Sequence, residues 1–244
     1  MASGALVQFR DLARTATEMA AGADPSAPIP TCPGWHATDL SNHLAMVYQL
    51  MAYRVRENAN PHRGDLVATA PKGTAPSSWL QLNFEKLYDL LASRQPSDPA
   101  WNWTGKDQTV GWIIRRITHE VAIHLIDYSL ANPGHPSPAA LGINPELATD
   151  GLAELFDGFL PNRASGKGDG KTRTLRVHAT DRPVEWILTF SPAAFSAKQG
   201  AGDAEAAIAG SVVDLYLMCW NRPAGSIDTT GSEEVVDEFR ALPR

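Results

Sequence analysis

The sequence predicts an α+β fold, with a four-helix bundle in residues 1–160 followed by a small α/β domain in residues 161–244. Through the first region, apolar residues recur every three or four positions, the spacing that gives a helix one buried face. Beyond residue 171, apolar and polar residues alternate, as they do in a half-buried strand. The change of period therefore predicts two domains of different class.

Helix boundaries in the first region follow from the ends of the periodic runs and from the Gly and Pro residues beyond them. The first helix ends near Gly22, and a stretch rich in Pro and Gly, residues 24–34, leads to the second. Asp39 lies in the first turn of the second helix, where the helix dipole favours an acid. The predicted helices cover residues 5–19, 38–57, 77–93, 109–131 and 145–159.

Strands and two short helices are predicted in the second region. Residues 172–180 and 184–190 alternate like strands, and the Asp-Arg-Pro sequence between them predicts the turn of a hairpin. Residues 204–208 suit another short strand, and Ile227 is a candidate start for an edge strand. Helices are predicted at residues 211–220 and 232–242.

The composition limits the function classes. A chain of 244 residues with 43% hydrophobic residues is long enough to bury a stable core. Its net charge of −6 and its pI near 5.6 argue against a nucleic-acid surface, which needs clustered Lys and Arg. Arg115 and Arg116 are adjacent basic residues, and they are predicted to lie on a solvated helix face.

Neither a membrane segment nor a disulfide is expected. No segment reaches the roughly 18 apolar residues of a membrane span, and the N-terminus lacks the features of a secretion signal. Cys32 and Cys219 lie far apart in the sequence and make no zinc-binding spacing. The protein is therefore predicted to be cytoplasmic, with no membrane or nucleic-acid partner.

The predicted helix at residues 113–128, IIRRITHEVAIHLIDY, carries polar side chains that can act together. With about 100° of rotation per residue, Glu120 and His124 lie about 40° apart, and Asp127 lies about 20° from Glu120. His119 lies about 140° round the helix from His124, so this is not the HExxH motif, whose two histidines share one face. The three residues Glu120, His124 and Asp127 border the apolar face, where a carboxylate needs a partner.

Two interpretations of Glu120 and His124 stay open on this pattern. Taken alone, a Glu and a His four residues apart are more often a hydrogen-bonded pair in a helix bundle than metal ligands. A third ligand would favour a metal site, and His43 offers one, because it stands in an amphipathic run where the pattern favours an aliphatic residue. Two His and one Glu form an N,N,O set with an open position, as in catalytic zinc sites.

Two motifs resemble those of a known family. Residues 31–44 read TCPGWHATDLSNHL, and residues 119–127 read HEVAIHLID. Together they resemble the N-terminal domain of the mycothiol-dependent maleylpyruvate isomerase family, a DinB-like four-helix bundle. The C-terminal region resembles the small α/β domain, similar to sterol-carrier proteins, that follows the bundle in that family. The resemblance thus covers nearly the whole chain.

The resemblance implies roles for individual residues. His43, Glu120 and His124 match the residues that bind a divalent metal, by default zinc. Asp127 matches an acidic residue of the active site, where it accepts a hydrogen bond from a ligand His or a proton from a thiol, or forms a structural salt bridge. Arg222 is the candidate anchor for a substrate carboxylate, because its planar fork suits bidentate contact. A carbonyl cap at the end of a helix is the alternative role for Arg222.

The sequence departs from the family at two positions. His36 stands where the family usually has Thr or Ser as a helix N-cap. Leu125 replaces the common Arg after the second metal-binding histidine. The second departure removes a cation that could contact the substrate or the thiol.

The activity implied is thiol addition by a metal-dependent enzyme that uses a low-molecular-weight thiol of the mycothiol type. The product is either a cis-trans isomer or a conjugate of the thiol with a small electrophile. A metal-bound thiol is deprotonated, so no catalytic Cys is required. The alternative is a non-catalytic, metal-stabilised module that binds a small molecule or a protein partner.

Overall fold

The computed structural model describes residues 4–62, 64–131, 136–163 and 170–243. Its contacts divide the chain into two compact units, Met1–Gly142 and Ile143–Arg244. The sequence analysis placed this boundary later, at residues 160 and 161. The two divisions differ because the helix Pro145–Glu154 packs against the helix Val212–Cys219 and therefore belongs to the second unit.

Four helices form the core of the first unit, as predicted. They are α1 (Gly4–Gly22), α2 (Ala37–Glu57), α3 (Pro76–Ala92) and α4 (Val110–Ala131). Helix α1 packs against α4 and α3, and α2 packs against α3 and α4. At the centre, the buried rings of Phe9, Tyr48 and Phe84 contact one another edge-on or tilted, with centroids 5.8 to 6.3 Å apart.

A tight turn precedes α2 and is fixed to the start of that helix. The backbone N–H of Trp35 donates to the carbonyl of Cys32 at 2.9 Å. Gly34, between them, has a φ of +82°, which glycine adopts without steric cost. The carboxylate of Asp39 accepts a hydrogen bond from the backbone N–H of His36 at 2.8 Å, which is one half of a capping box. These bonds set the position of the residues in the turn relative to α2.

Near its C-terminal end, α2 carries a buried arginine that contacts two indole rings. The guanidinium carbon of Arg54 lies 5.0 Å from the ring centroid of Trp101 and 5.1 Å from that of Trp103. Its Nη2 donates to Oδ1 of Asn60 at 3.1 Å. Burial lowers the pKa of Arg54 to about 10. The loop after α3 is thereby attached to α2 through cation–π contacts.

The second unit contains a five-stranded mixed sheet in the order β3-β2-β1-β4-β5. The strands are β1 (Arg173–Ala179), β2 (Glu185–Ser191), β3 (Ala194–Gln199), β4 (Ala206–Gly210) and β5 (Ile227–Gly231). Strands β1 and β4 run parallel, and the other neighbours run antiparallel. The predicted hairpin of β1 and β2 and the edge strand at Ile227 are confirmed. Strand β3 was not predicted, because only its second residue is buried and it shows no regular alternation.

Along the chain, two helices of the second unit precede the strands, one lies between β4 and β5, and one follows β5. They are α5 (Pro145–Glu154), α6 (Leu160–Arg163), α7 (Val212–Cys219) and α8 (Glu233–Arg240). A π-helical turn, Leu155–Phe159, joins α5 and α6, where the sequence predicted a continuous helix. The side chain of Ser211 caps α7 by accepting a hydrogen bond from the backbone N–H of Asp214. The predicted α+β fold class is confirmed.

The described part of the chain contains no helix with both the length and the apolar character needed to cross a membrane.

We expect Arg54→Lys to lower the free energy of unfolding by about 1 to 2 kcal/mol, because the ammonium group of lysine lacks the planar guanidinium that contacts both indole rings. Urea denaturation followed by far-UV circular dichroism measures the change. Arg56→Lys, at an exposed position of the same helix, is the matched control. Equal stability of Arg54→Lys and the wild type would contradict a structural role for the stacked guanidinium.

Candidate functional site

Helices α2 and α4 bring two imidazoles and one carboxylate together. Oε1 of Glu120 lies 3.0 Å from Nε2 of His43 and 3.4 Å from Nε2 of His124. The two imidazole rings meet edge-on, with centroids 4.8 Å apart. The sequence predicted Glu120 and His124 from their spacing on one helix and His43 as the third residue, and the fold brings His43 to the other two from α2. These three predicted residues therefore share one site.

The second oxygen of Glu120 contacts an arginine. Nη2 of Arg116, four residues earlier on α4, donates to Oε2 of Glu120. The Arg116 side chain is only 3% exposed. The prediction that this residue lies on a solvated face was therefore wrong for Arg116. The i,i+4 spacing turns its guanidinium along the helix surface toward the carboxylate.

Asp127 contacts the ring nitrogen of His124 that faces away from Glu120. Its carboxylate is fully buried, and Oδ2 lies 2.8 Å from Nδ1 of His124. A carboxylate at this distance accepts the proton of Nδ1, which leaves Nε2 as the ring nitrogen that faces Glu120. Asp127 also accepts a hydrogen bond from the hydroxyl of Thr31 at 2.5 Å and one from the thiol of Cys32 at 3.7 Å.

The turn before α2 therefore contacts the site directly. Thr31 and Cys32 reach Asp127 on α4, and the ring centroid of Trp35 lies 5.0 Å from that of His43. From the sequence, Cys32 was noted only for making no zinc-binding spacing with Cys219. Its place beside Asp127 depends on a contact between residues 95 positions apart, which spacing along the chain does not reveal.

The charges of the site shift two pKa values in opposite directions. Burial alone would raise the pKa of Glu120, but the Arg116 guanidinium and the hydrogen bonds from His124 and His43 hold it well below its ordinary value of 4.5. Burial alone would lower the pKa of His124, but its hydrogen bonds to Asp127 and Glu120 raise it instead. The site thus favours an ionised Glu120.

The ligand atoms fit a divalent metal. His43, Glu120 and His124 each offer one ligand atom, and these three atoms all lie within 4.8 Å of one another. Imidazole nitrogen and carboxylate oxygen suit Zn²⁺ and several other transition metals. Cys32, His124 and Asp127 form a second group with ligand atoms equally close. That group shares His124 with the first, and in it Oδ2 of Asp127 lies 2.8 Å from Nδ1 of His124.

Three other residues were singled out in the sequence. His119 is 1% exposed and belongs to neither ligand group within the described residues, in agreement with its offset from His124. Leu125 is fully buried in the core. Arg222 lies in the second unit just after α7, where its Nη1 donates to the carbonyl of Trp220 at 2.7 Å. Its backbone N–H donates to the carbonyl of Leu217 at 2.8 Å.

A helical unit with a His-Glu-His cluster between two helices, followed by a mixed five-stranded sheet, defines a two-domain enzyme with its polar centre in the helical unit. The chain belongs to the mycothiol maleylpyruvate isomerase family. Residues 6–128 match the family described as "Mycothiol maleylpyruvate isomerase N-terminal domain". This match spans just over half of the 244 residues.

Solved structures show the same fold over most of the chain. The crystal structure of a mycothiol-dependent maleylpyruvate isomerase aligns with a TM-score of 0.60 at 13% identity, covering 93% of this chain and 91% of that one. A mutant of a mycothiol-dependent maleylpyruvate isomerase aligns with a TM-score of 0.59 at the same identity and coverage. No curated protein matches the sequence.

The lowered pKa of Glu120 gives the metal-free protein a specific dependence on pH. A carboxyl group whose pKa is lower in the folded state stabilises the fold above its unfolded value, near 4.5, and loses that contribution as pH falls through the folded value. We therefore expect the wild type to lose more stability than Glu120→Gln as pH falls below 4.5.

Chemical denaturation of the metal-free proteins between neutral and acidic pH measures this difference. Glu85→Gln, on the exposed face of α3, controls for the loss of one carboxylate. Parallel curves for the wild type and Glu120→Gln would show that the ion pair with Arg116 adds nothing to folding.

Proposed function

We propose that this chain is a metal-dependent enzyme that adds a low-molecular-weight thiol of the mycothiol type to a small electrophile. The observation that carries the proposal is that two imidazole nitrogens and one carboxylate oxygen lie within 4.8 Å of one another. Membership of the mycothiol maleylpyruvate isomerase family supports the thiol and the isomerase class. The cytoplasmic location inferred from the sequence stays a prediction.

His43, Glu120 and His124 would hold the metal, through Nε2, Oε1 and Nε2 respectively. A divalent metal with an open position lowers the pKa of a bound thiol, so that a thiolate is available at neutral pH. Zinc is the first choice, and nickel, cobalt and iron suit the same donors. Accordingly, no cysteine of the chain need act as the nucleophile.

Asp127 is proposed to orient His124, because the contacts of both its carboxylate oxygens are known. Oδ2 contacts Nδ1 of His124, and Oδ1 accepts from the Thr31 hydroxyl. Both oxygens therefore already have partners, which favours orientation of His124 over direct acceptance of the thiol proton. The role of Asp127 follows from the tautomer it imposes, because a metal-binding nitrogen must be unprotonated.

In the isomerase reaction, the thiolate adds to a cis carbon–carbon double bond conjugated to a carbonyl, and a carbon–sulfur bond forms. Rotation then occurs about the resulting single bond. Elimination breaks the carbon–sulfur bond, restores the double bond as the trans isomer and returns the thiol. In the transferase reaction the carbon–sulfur bond is kept and the conjugate leaves. Both reactions need the same nucleophile, so the substrate decides between them.

Anchoring of the substrate depends on cations. Arg222 remains our candidate for binding a substrate carboxylate. Its contact with the Trp220 carbonyl also fits the alternative, a cap at the end of α7. Leu125, where an Arg is common, offers no charge and is buried. This shortage of cations favours an electrophile less acidic than maleylpyruvate and keeps thiol transfer as a second candidate.

A non-catalytic binding module is the remaining alternative, since one fold can serve several functions. Metal content does not separate it from an enzyme, but consumption of a thiol does. Mass spectrometry after incubation of metal-loaded protein with mycothiol and a panel of small electrophiles therefore distinguishes the two. Adducts formed in excess over protein support the enzyme, and their absence supports the module.

We expect one divalent metal per chain, lost in His43→Ala and His124→Ala because each change removes one of three ligands. Elemental analysis after removal of free metal measures it, with circular dichroism to check folding. His119→Ala is the matched control and should retain the metal, because His119 is not among the ligand atoms. Full metal content in folded His43→Ala and His124→Ala would contradict the ligand assignment.

We expect maleylpyruvate isomerisation with mycothiol to be weak or absent, because Leu125 leaves one cation fewer for a dicarboxylate. Steady-state assays measure kcat/KM directly. A value of roughly 10⁴ M⁻¹s⁻¹ or more, the ordinary enzymatic range, would contradict this expectation. Thiol conjugates without isomerised product would favour the transferase.

A further inference from the structure

Arg116 is a buried cation directed at one atom of the site. Its side chain is 3% exposed, and it lies one helical turn before Glu120 on α4. A buried guanidinium is costly unless a partner balances its charge. Its Nη2 donates to Oε2 of Glu120. Arg116 therefore acts on the site through Glu120.

The two oxygens of Glu120 have separate partners. Oε1 lies 3.0 Å from Nε2 of His43 and 3.4 Å from Nε2 of His124. Oε2 is the oxygen that Arg116 holds. A carboxylate can ligate a cation through one oxygen or through both. Here Oε1 is the oxygen within 3.4 Å of both histidine nitrogens, and Oε2 is the oxygen that contacts Arg116.

We propose that Arg116 is a positioning residue that restricts Glu120 to a single ligating oxygen and so keeps a position free for the thiol. The inference rests on the proposed function, because it concerns the same three ligands. Arg116 lies outside the two family motifs of this sequence. Under this proposal, its ion pair with Glu120 affects thiol binding as well as helix stability.

Two physical effects follow from the contact. First, without the guanidinium, Oε2 loses its partner and can turn toward the histidine nitrogens, into the space that an incoming thiol would occupy. Second, the positive charge of Arg116 offsets the negative charge of Glu120, which reduces the repulsion that a thiolate meets beside the carboxylate. Both effects weaken thiol binding when Arg116 is removed.

A purely structural pair makes a different prediction. If Arg116 only stabilised α4, its loss would lower the free energy of unfolding, and the folded, metal-loaded protein would bind a thiol as the wild type does. Thiol affinity at full metal content thus separates the two roles, whereas stability alone does not.

The test uses the full chain loaded with Co²⁺, which suits the same ligands as zinc and absorbs visible light. Titration with 2-mercaptoethanol is followed through the sulfur-to-cobalt charge-transfer band, and bound cobalt is counted by elemental analysis. Arg116→Met keeps an unbranched buried side chain but removes the charge. We expect it to retain one cobalt per chain at saturating Co²⁺ and to bind the thiol about tenfold or more weakly, the size of the loss in metal affinity or activity that changing a residue behind a metal ligand usually causes.

Two further variants sharpen the comparison. Arg116→Lys keeps a positive charge near Glu120 and should recover part of the thiol affinity. Arg115→Met removes the neighbouring, partly exposed arginine and should bind the thiol as the wild type does.

Wild-type thiol affinity in cobalt-loaded Arg116→Met would overturn the proposal. Loss of cobalt from that variant would overturn it as well, because Arg116 would then be needed for the ligand set itself. If the wild type bound no cobalt, the metal centre of the proposed function would fail first, a result that the cobalt count reports separately.

Discussion

The carboxylate of Glu120 is the interaction on which the site depends. A carboxylate with little exposure to water must be paired or neutralised, and this one has three partners drawn from two helices. Arg116 and His124 lie one turn on either side of it along α4, and His43 reaches it from α2. Without the packing of α2 near α4, the pattern of α4 alone would leave the third partner missing.

A chain of hydrogen bonds leads from His124, a proposed metal ligand, to the turn before α2. His124 is oriented by Asp127, and Asp127 accepts a hydrogen bond from Thr31 in the turn before α2. The same turn is fixed to α2 by the bond between His36 and Asp39. Since α2 carries His43, the segment TCPGW connects both sides of the site. This explains in physical terms why that segment and the HEVAIHLID segment occur together in one motif pair.

Much of the fold and part of the site followed from periodicity. The spacing of Glu120, His124 and Asp127 on one helix needs only the rotation per residue, and their observed contacts agree with it. Arg116 was missed although the same rule, applied one turn earlier, places it beside Glu120. Thr31 could not be found in this way, because its contact with Asp127 joins residues 96 positions apart. Strand β3 also escaped, because a strand with little burial has no alternation to detect.

The accessibility of the three side chains proposed as metal ligands favours a reactive site over a structural one. Asp127 is fully buried and Arg116 is 3% exposed, whereas His124, Glu120 and His43 are 12%, 18% and 25% exposed. The residues that orient the ligands are therefore enclosed, and the ligands become more accessible toward His43. A structural metal site is closed by its protein ligands, but a catalytic one keeps a position for a water or a substrate. The side chains proposed as ligands become more exposed from His124 to His43, which matches a catalytic site. The indole ring of Trp35 contacts His43, the most exposed of the three.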